Sequence, residues 1–117
     1  MKKSMERFIT AIVIIAILGF SVYIIFNKPA SQISAETVKC IGQNSVLYTQ
    51  TGCSHCADQE ALFGDNLQYL NIIDCLKDGN MQKCIDAKIE GTPTWIIKNQ
   101  SYVGVQTIEK LKELTGC

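Results

Sequence analysis

The sequence has no excess of charge of either sign. Lysine and arginine together number 11, aspartate and glutamate also number 11, and the formal net charge is zero. A basic surface of the kind that binds nucleic acid is therefore not indicated. The chain also lacks an internal repeat, a low-complexity tract, a phosphate-binding loop, a paired-carboxylate site and a serine triad. Its 117 residues leave room for one domain.

One long apolar block lies near the N-terminus. Phe8 to Phe26 form a run of 19 residues without charge, which is about enough for one helix to cross the hydrocarbon core of a bilayer. A cleaved signal peptide is the main alternative, but its apolar core is normally about 7 to 15 residues long and ends near a small-x-small site. The nearest such site, ending at Ala35, has Ile33 where a small residue is expected. We therefore predict an uncleaved signal anchor.

The charges that flank this block predict its orientation. Lys2, Lys3 and Arg7 precede the block, whereas Lys28 alone follows it. The positive-inside rule then places the N-terminus in the cytoplasm and the rest of the chain outside the cell membrane. The predicted organisation is a cytoplasmic N-terminus, a single membrane helix, a linker and an extracytoplasmic domain, over residues 1–7, 8–26, 27–35 and 36–117.

All six cysteines follow the apolar block, at Cys40, Cys53, Cys56, Cys75, Cys84 and Cys117. Disulfide bonds persist in oxidising compartments, so this number of exported cysteines favours disulfides. Six cysteines allow fifteen pairings, and counting them does not select one.

Zinc binding is a weaker interpretation of four of these cysteines. Structural zinc sites usually contain two closely spaced cysteine pairs. Cys53 and Cys56 form such a pair, but Cys75 and Cys84 are separated by eight residues. An exported location also disfavours metal-bound thiolates. We predict no metal site and no bound cofactor.

The pattern of apolar and turn residues alternates between helices and strands in the exported part. Helices are predicted over residues 34–42, with Ser34 as N-cap and Gly42 past the end, and over 53–63, 81–89 and 107–114. Strands are predicted over 45–50, 70–75, 94–98 and 101–105, the second of them buried on both faces and the last two joined by a turn at Asn99–Gln100. Such an order indicates a small sheet covered by helices on both faces.

The C-x-x-C stretch follows the first of these strands and begins a helix. A helix N-terminus carries unpaired N–H groups and partial positive charge. A thiolate at this position is stabilised, which lowers the pKa of the thiol. Cys53 is thus placed for activation, and Cys56 lies within reach for a disulfide.

These residues resemble a known family. CSHC after a strand, followed about forty residues later by GTPTW, resembles the active site of the thioredoxin superfamily. LYTQTGCSHCADQEALFG, GTPTWII and YVGVQTIEKL together resemble the thioredoxin-like domain fused to, or paired with, prokaryotic homologues of vitamin K epoxide reductase. The resemblance covers about residues 36–117. It implies a minimal thioredoxin-like α/β fold, with about four strands in a mixed sheet and flanking helices, preceded here by one transmembrane helix.

The resemblance also implies a role for each matching residue. Cys53 would be the exposed nucleophile that forms a mixed disulfide with a client protein, and Cys56 the buried resolving cysteine. Pro93 would follow a cis peptide bond and face the cysteines, while Thr92 would offer backbone groups to the client. Trp95 would pack near the site.

The sequence departs from the usual thioredoxin pattern in several places. Gly52 stands where tryptophan often precedes the C-x-x-C, and the inner residues are Ser54 and His55. No acid is found in the preceding strand, so Glu60 is the remaining candidate for proton transfer. An imidazole near the Cys53 sulfur would stabilise the thiolate and make the disulfide more oxidising. The alternative is that His55 is a solvated residue in an exposed turn.

The other four cysteines are candidates for structural disulfides. Cys75 and Cys84 lie on either side of a turn, where a disulfide would stabilise a small domain. A second redox-active pair that relays electrons to the C-x-x-C is the alternative. Cys40 and Cys117 lie near the ends of the domain and are expected to pair if those ends are close, or else to remain free.

The sequence thus predicts a membrane-anchored thiol–disulfide oxidoreductase outside the cytoplasm. Its expected task is to oxidise thiols of exported proteins and to be reoxidised by a quinone-linked membrane partner that resembles vitamin K epoxide reductase. One alternative is a reductase or isomerase of the same fold, and another is a non-catalytic binding module with six static cysteines. The reduction potential of the C-x-x-C distinguishes the oxidase from the reductase, and resistance of the Cys53–Cys56 bond to mild reductant would favour the binding module.

Overall fold

The structure is a computed structural model that describes residues 1–27 and 33–117. The chain divides into two compact units, Met1–Ser31 and Gln32–Cys117. Residues 28–32, which belong to the predicted linker, lie outside the described ranges.

The first unit contains one helix, α1, over Lys2–Phe26. It is long and apolar enough to cross a membrane, and none of its residues is buried. Two of its hydroxyl groups bond to the backbone within the helix: that of Thr10 donates to the Glu6 carbonyl at 3.0 Å, and that of Ser21 to the Ile17 carbonyl at 2.8 Å. Such internal pairing is what a hydrocarbon environment requires.

The second unit contains a four-stranded mixed sheet. Its strands are β1 Ser45–Thr49, β2 Ile72–Asp74, β3 Thr94–Ile97 and β4 Gln100–Val103, in the spatial order β2-β1-β3-β4. β1 pairs in parallel with β2 and antiparallel with β3, and β3 pairs antiparallel with β4. The predicted α/β fold with a four-stranded mixed sheet is confirmed.

Four helices and one 3₁₀ helix surround this sheet. They are α2 Ala35–Gln43, α3 Ser54–Ala61, the 3₁₀ helix Gly64–Tyr69, α4 Met81–Asp86 and α5 Ile108–Thr115. Ser34 is the N-cap of α2, as predicted, and its side chain accepts a hydrogen bond from the backbone N–H of Thr37. Thr107 caps α5 in the same way. The sequence did not predict the 3₁₀ helix.

Apolar side chains pack on both faces of the sheet, as the alternation of strands and helices predicted. The larger cluster joins the sheet to α2 and α5 and consists of Val38, Ile41, Leu47, Phe63, Trp95, Ile97 and Leu111. The smaller cluster is centred on Tyr48, Cys75 and Cys84. It covers the opposite face, towards α4. The active-site segments described below therefore join a sheet whose two faces are both covered.

Two details of the predicted strands are wrong. β2 was expected to be buried on both faces, but it is an edge strand whose three residues are half-buried. Ile97 pairs with Gln100, so the turn between β3 and β4 consists of Lys98 and Asn99. Both of these residues have positive φ. The hairpin thus turns one residue earlier than predicted.

Gly42 was predicted to lie past the end of α2, but it lies within the helix. A Cβ atom at this position would lie 2.1 Å from the backbone oxygen of Tyr69 in the 3₁₀ helix. Glycine is therefore required here because two backbones approach closely, and not because the helix stops.

Candidate active site

The loop between β1 and α3 places Cys53 at the start of a helix. Gly52 has a φ of 83°, in the left-handed region that glycine adopts without strain. Cys53 is the N-cap of α3, and its sulfur lies 3.1 Å from the backbone nitrogen of Cys56. The Cys53 side chain thus occupies the position in which serine or aspartate accepts a hydrogen bond from one of the free N–H groups of a helix.

Cys53 and Cys56 form a disulfide with a Cα–Cα distance of 5.2 Å. The two sulfur-bearing residues differ in burial: Cys56 is 3% exposed, whereas Cys53 is half-buried. A nucleophile from solvent can therefore reach Cys53 more readily than Cys56.

The segment before β3 faces this disulfide. The Thr92–Pro93 peptide bond is cis. The Sγ atom of Cys53 lies 3.6 Å from the Thr92 carbonyl oxygen and 3.5 Å from the Thr92 hydroxyl oxygen. When the disulfide is open, this hydroxyl and the Cys56 N–H can both donate to a Cys53 thiolate. Hydrogen bonds to an ionised group favour that ionised form.

His55 lies in the first turn of α3 and is exposed to solvent. Its side chain is 76% exposed, and its Nδ1 atom lies 3.7 Å from a carboxylate oxygen of Asp58. Within the described residues, no hydrogen bond joins the imidazole to Cys53. The role of His55 in stabilising the thiolate stays a prediction.

A polar cleft of about 490 Å³ opens beside the disulfide. Both active-site cysteines line it, together with Glu60, Asp74 and Lys77. Among the described residues, no aspartate or glutamate is buried. The Glu60 side chain considered above is thus a carboxylate of an open cleft that Cys56 also lines.

Asp74 holds the loop that precedes Cys53. Its carboxylate accepts hydrogen bonds from the hydroxyl of Thr51, from the Thr51 N–H at 3.2 Å and from the Leu76 N–H at 2.9 Å. These bonds, with that of the Thr51 hydroxyl as the largest cause, lower the pKa of Asp74 below its ordinary value. The anionic carboxylate thereby ties the end of β2 to the active-site loop.

The remaining cysteines form two further disulfides. Cys75 and Cys84 are joined with a Cα–Cα distance of 5.9 Å, and Cys40 and Cys117 with a distance of 6.0 Å. Cys75 and Cys84 are both buried in the smaller apolar cluster. The four cysteines considered for zinc thus lie in two separate disulfides.

Local sequence patterns indicate the residues that meet at the site, but not two residues that hold it together. Cys53, Cys56, Thr92 and Pro93 come together, and Trp95 is fully buried behind them. Asp74 was overlooked because an acid at a strand end is common. Gln59 was also overlooked. This buried side chain contacts Trp95, and only the tertiary structure reveals that contact.

Comparison with known proteins identifies a similar oxidoreductase. No protein-family model matches the chain. The chain is similar to the protein named thiol-disulfide oxidoreductase LTO1 of Arabidopsis thaliana, with 38% identity over 97 residues. The match covers 77% of this chain and 25% of that protein, so the chain spans about a quarter of the length of this relative.

Proposed function

We propose that this chain is a membrane-anchored thiol–disulfide oxidoreductase that oxidises thiols of exported proteins. The observation that carries the proposal is the placement of the Cys53–Cys56 disulfide at the N-terminus of α3, against Thr92 and Pro93. Similarity to a protein named as a thiol–disulfide oxidoreductase supports the same chemistry over the matched region.

The reaction transfers two electrons from a client dithiol to the disulfide. A client thiolate attacks the sulfur of Cys53, the Cys53–Cys56 bond breaks, and Cys56 leaves as a thiolate that takes up a proton. The second client thiol loses its proton and attacks the client sulfur of the mixed disulfide. This step releases Cys53 as a thiolate and leaves the client oxidised, with both enzyme cysteines reduced.

The oxidising direction is supported by the groups around the Cys53 sulfur. The Cys56 N–H, the Thr92 hydroxyl and the N-terminal end of α3 all favour a thiolate at this position. Stabilising the reduced form raises the reduction potential of a disulfide. An oxidant of client proteins needs a high reduction potential, whereas a reductase needs a low one.

The anchor places this chemistry at a membrane surface. The basic residues Lys2, Lys3 and Arg7 favour a cytoplasmic N-terminus, so the domain would work outside. Reoxidation would come from a membrane protein that resembles vitamin K epoxide reductase and passes the electrons to a quinone. Tethering both proteins to one bilayer raises their effective concentration without any new contact.

The decisive experiment is a redox titration of the full chain in detergent micelles. Thiols are trapped in a series of glutathione buffers and assigned by peptide mass spectrometry. A midpoint for Cys53 and Cys56 between about −120 and −180 mV supports the oxidase. A midpoint near about −270 mV would indicate a reductase. A disulfide that stays closed in every buffer, in folded protein, would indicate a static binding module.

A further inference from the structure

Gln59 is a fully buried amide in α3, one turn beyond Cys56. Its side-chain oxygen accepts hydrogen bonds from the indole N–H of Trp95 at 3.0 Å and from the backbone N–H of Gln106 at 2.6 Å. Its side-chain nitrogen donates to the Gln106 carbonyl at 3.1 Å. One side chain thus connects three segments that are distant in the sequence.

These contacts belong to a closed path around the exchange site. Trp95 follows Pro93 by two residues in β3, and the Pro93 carbonyl accepts a hydrogen bond from the Gly104 N–H at 2.8 Å. Gln106 follows Gly104 by two residues and returns the path to Gln59. Hydrogen bonds therefore join α3 to β3 by two routes. One runs directly from Gln59 to Trp95, and the other runs through Gln106, Gly104 and Pro93.

We propose that Gln59 is a positioning residue for client exchange, an inference that rests on the function proposed above. It fixes where the Thr92–Pro93 segment lies relative to the Cys53 sulfur. Apolar packing tolerates small sliding movements, whereas hydrogen bonds depend steeply on distance and angle. A client chain must align on Thr92 and reach Cys53 at once, so a small displacement of α3 against β3 lowers its rate of attack.

A small dithiol serves as the reference reagent for comparison with a peptide client. Dithiothreitol needs access to the Cys53 sulfur but no alignment along Thr92 and Pro93. The ratio of the exchange rate with a dithiol peptide to the rate with dithiothreitol therefore reports positioning. A general loss of stability changes both rates together or neither of them.

The test compares Gln59→Leu with wild type, using the full chain in detergent micelles and stopped thiol-trapping time courses. We expect the rate with an extended two-cysteine peptide to fall about tenfold, with the dithiothreitol rate within about twofold of wild type. Leu111→Ala is the matched control: Leu111 is equally buried and belongs to the same apolar cluster as Trp95, but its side chain takes no part in the hydrogen bonds of Gln59. This variant should lose stability and keep the wild-type ratio.

A second variant covers the case in which Gln59→Leu does not fold. Trp95→Phe removes one donor to the Gln59 oxygen and leaves both bonds to Gln106, and it should lower the ratio by a smaller factor. An unchanged ratio in the folded variants would overturn the positioning role. If wild-type protein reacts with neither reagent, the proposed function itself fails, which is a separate result.

Discussion

The hydroxyl group of Thr51 donates a hydrogen bond to the carboxylate of Asp74, 23 residues further along the chain. This bond connects the residue two positions before Cys53 to the end of β2. It favours the ionised carboxylate, and it is the main reason why the pKa of Asp74 is lowered. The geometry of the loop before Cys53 therefore depends on the negative charge of Asp74, which is lost when the carboxylate is protonated at low pH.

Asp74→Asn tests this link through the pH dependence of stability. The pKa in the folded state lies below the unfolded value, so the stabilisation is complete above the ordinary value of 3.8 and is lost as the pH falls further. We expect the variant to unfold at a lower urea concentration than wild type at pH 7, with the difference shrinking below pH 3.8. Fluorescence of Trp95, the only tryptophan, reports the unfolding.

The control for this experiment is Asp78→Asn. Asp78 is exposed in the turn that follows β2, and its replacement should leave the urea midpoint close to wild type at both pH values. A difference between Asp74→Asn and wild type that is the same at pH 7 and pH 3 would contradict the role assigned to the carboxylate.

Removal of the resolving cysteine should trap a client. Cys56 is buried beneath Cys53, so in Cys56→Ala a thiolate of Cys53 that has attacked an oxidised client peptide has no internal thiol to release it. We expect the mixed disulfide to accumulate and to be visible by mass spectrometry without reductant. Cys53→Ala should form none, because the remaining sulfur is shielded. Equal adduct formation by both variants would argue against the assignment of the two roles.

Thr92→Val tests the hydroxyl group that faces the sulfur. This replacement keeps the side-chain shape but removes the group 3.5 Å from Sγ. Because a hydrogen bond to a charged group contributes about 1.5–3 kcal/mol, and a less stabilised thiolate is more nucleophilic, we expect alkylation of reduced Cys53 to slow by about fivefold at a pH where the thiol is mostly protonated. Thr115→Val, which removes a buried hydroxyl bonded to Leu111, should leave that rate unchanged. A slowing in both variants would point to general disruption.

The Cys75–Cys84 disulfide is expected to be structural. It closes a loop with a sequence separation of 9, so Cys75→Ala together with Cys84→Ala should lower the free energy of unfolding by about 2.5 kcal/mol. Exchange at Cys53 should persist below the new melting temperature, as measured with dithiothreitol and a dithiol peptide. If oxidation of the peptide stops in a fully folded variant, the relay interpretation replaces the structural one.

Much of the fold and the central pair of the site could be predicted from local sequence features. The order of helices and strands follows from apolar periodicity, and the cap at Ser34 from its side chain. Gly42 illustrates the limit of such reasoning. A glycine near the end of a helical pattern usually marks the stop, but here it accommodates the backbone of Tyr69. That approach is a property of the folded chain.

The supporting residues of the site could not be predicted for the same reason. Gln59 is a polar residue on a short helix, and glutamine is a residue type that is mostly exposed to solvent. It is buried because Trp95 and Gln106 provide partners for both ends of its amide. Those partners lie 36 and 47 residues away in the sequence.

The Cys40–Cys117 bond makes the second unit of the chain a covalent ring. With a sequence separation of 77, it encloses β1 to β4, α3 to α5 and both of the other disulfides. A protease that cuts once inside this ring opens the chain without releasing a fragment. The nicked protein would keep its mass, apart from one added water, until a reductant is supplied. Both pieces of a nicked domain would therefore remain covalently attached to α1.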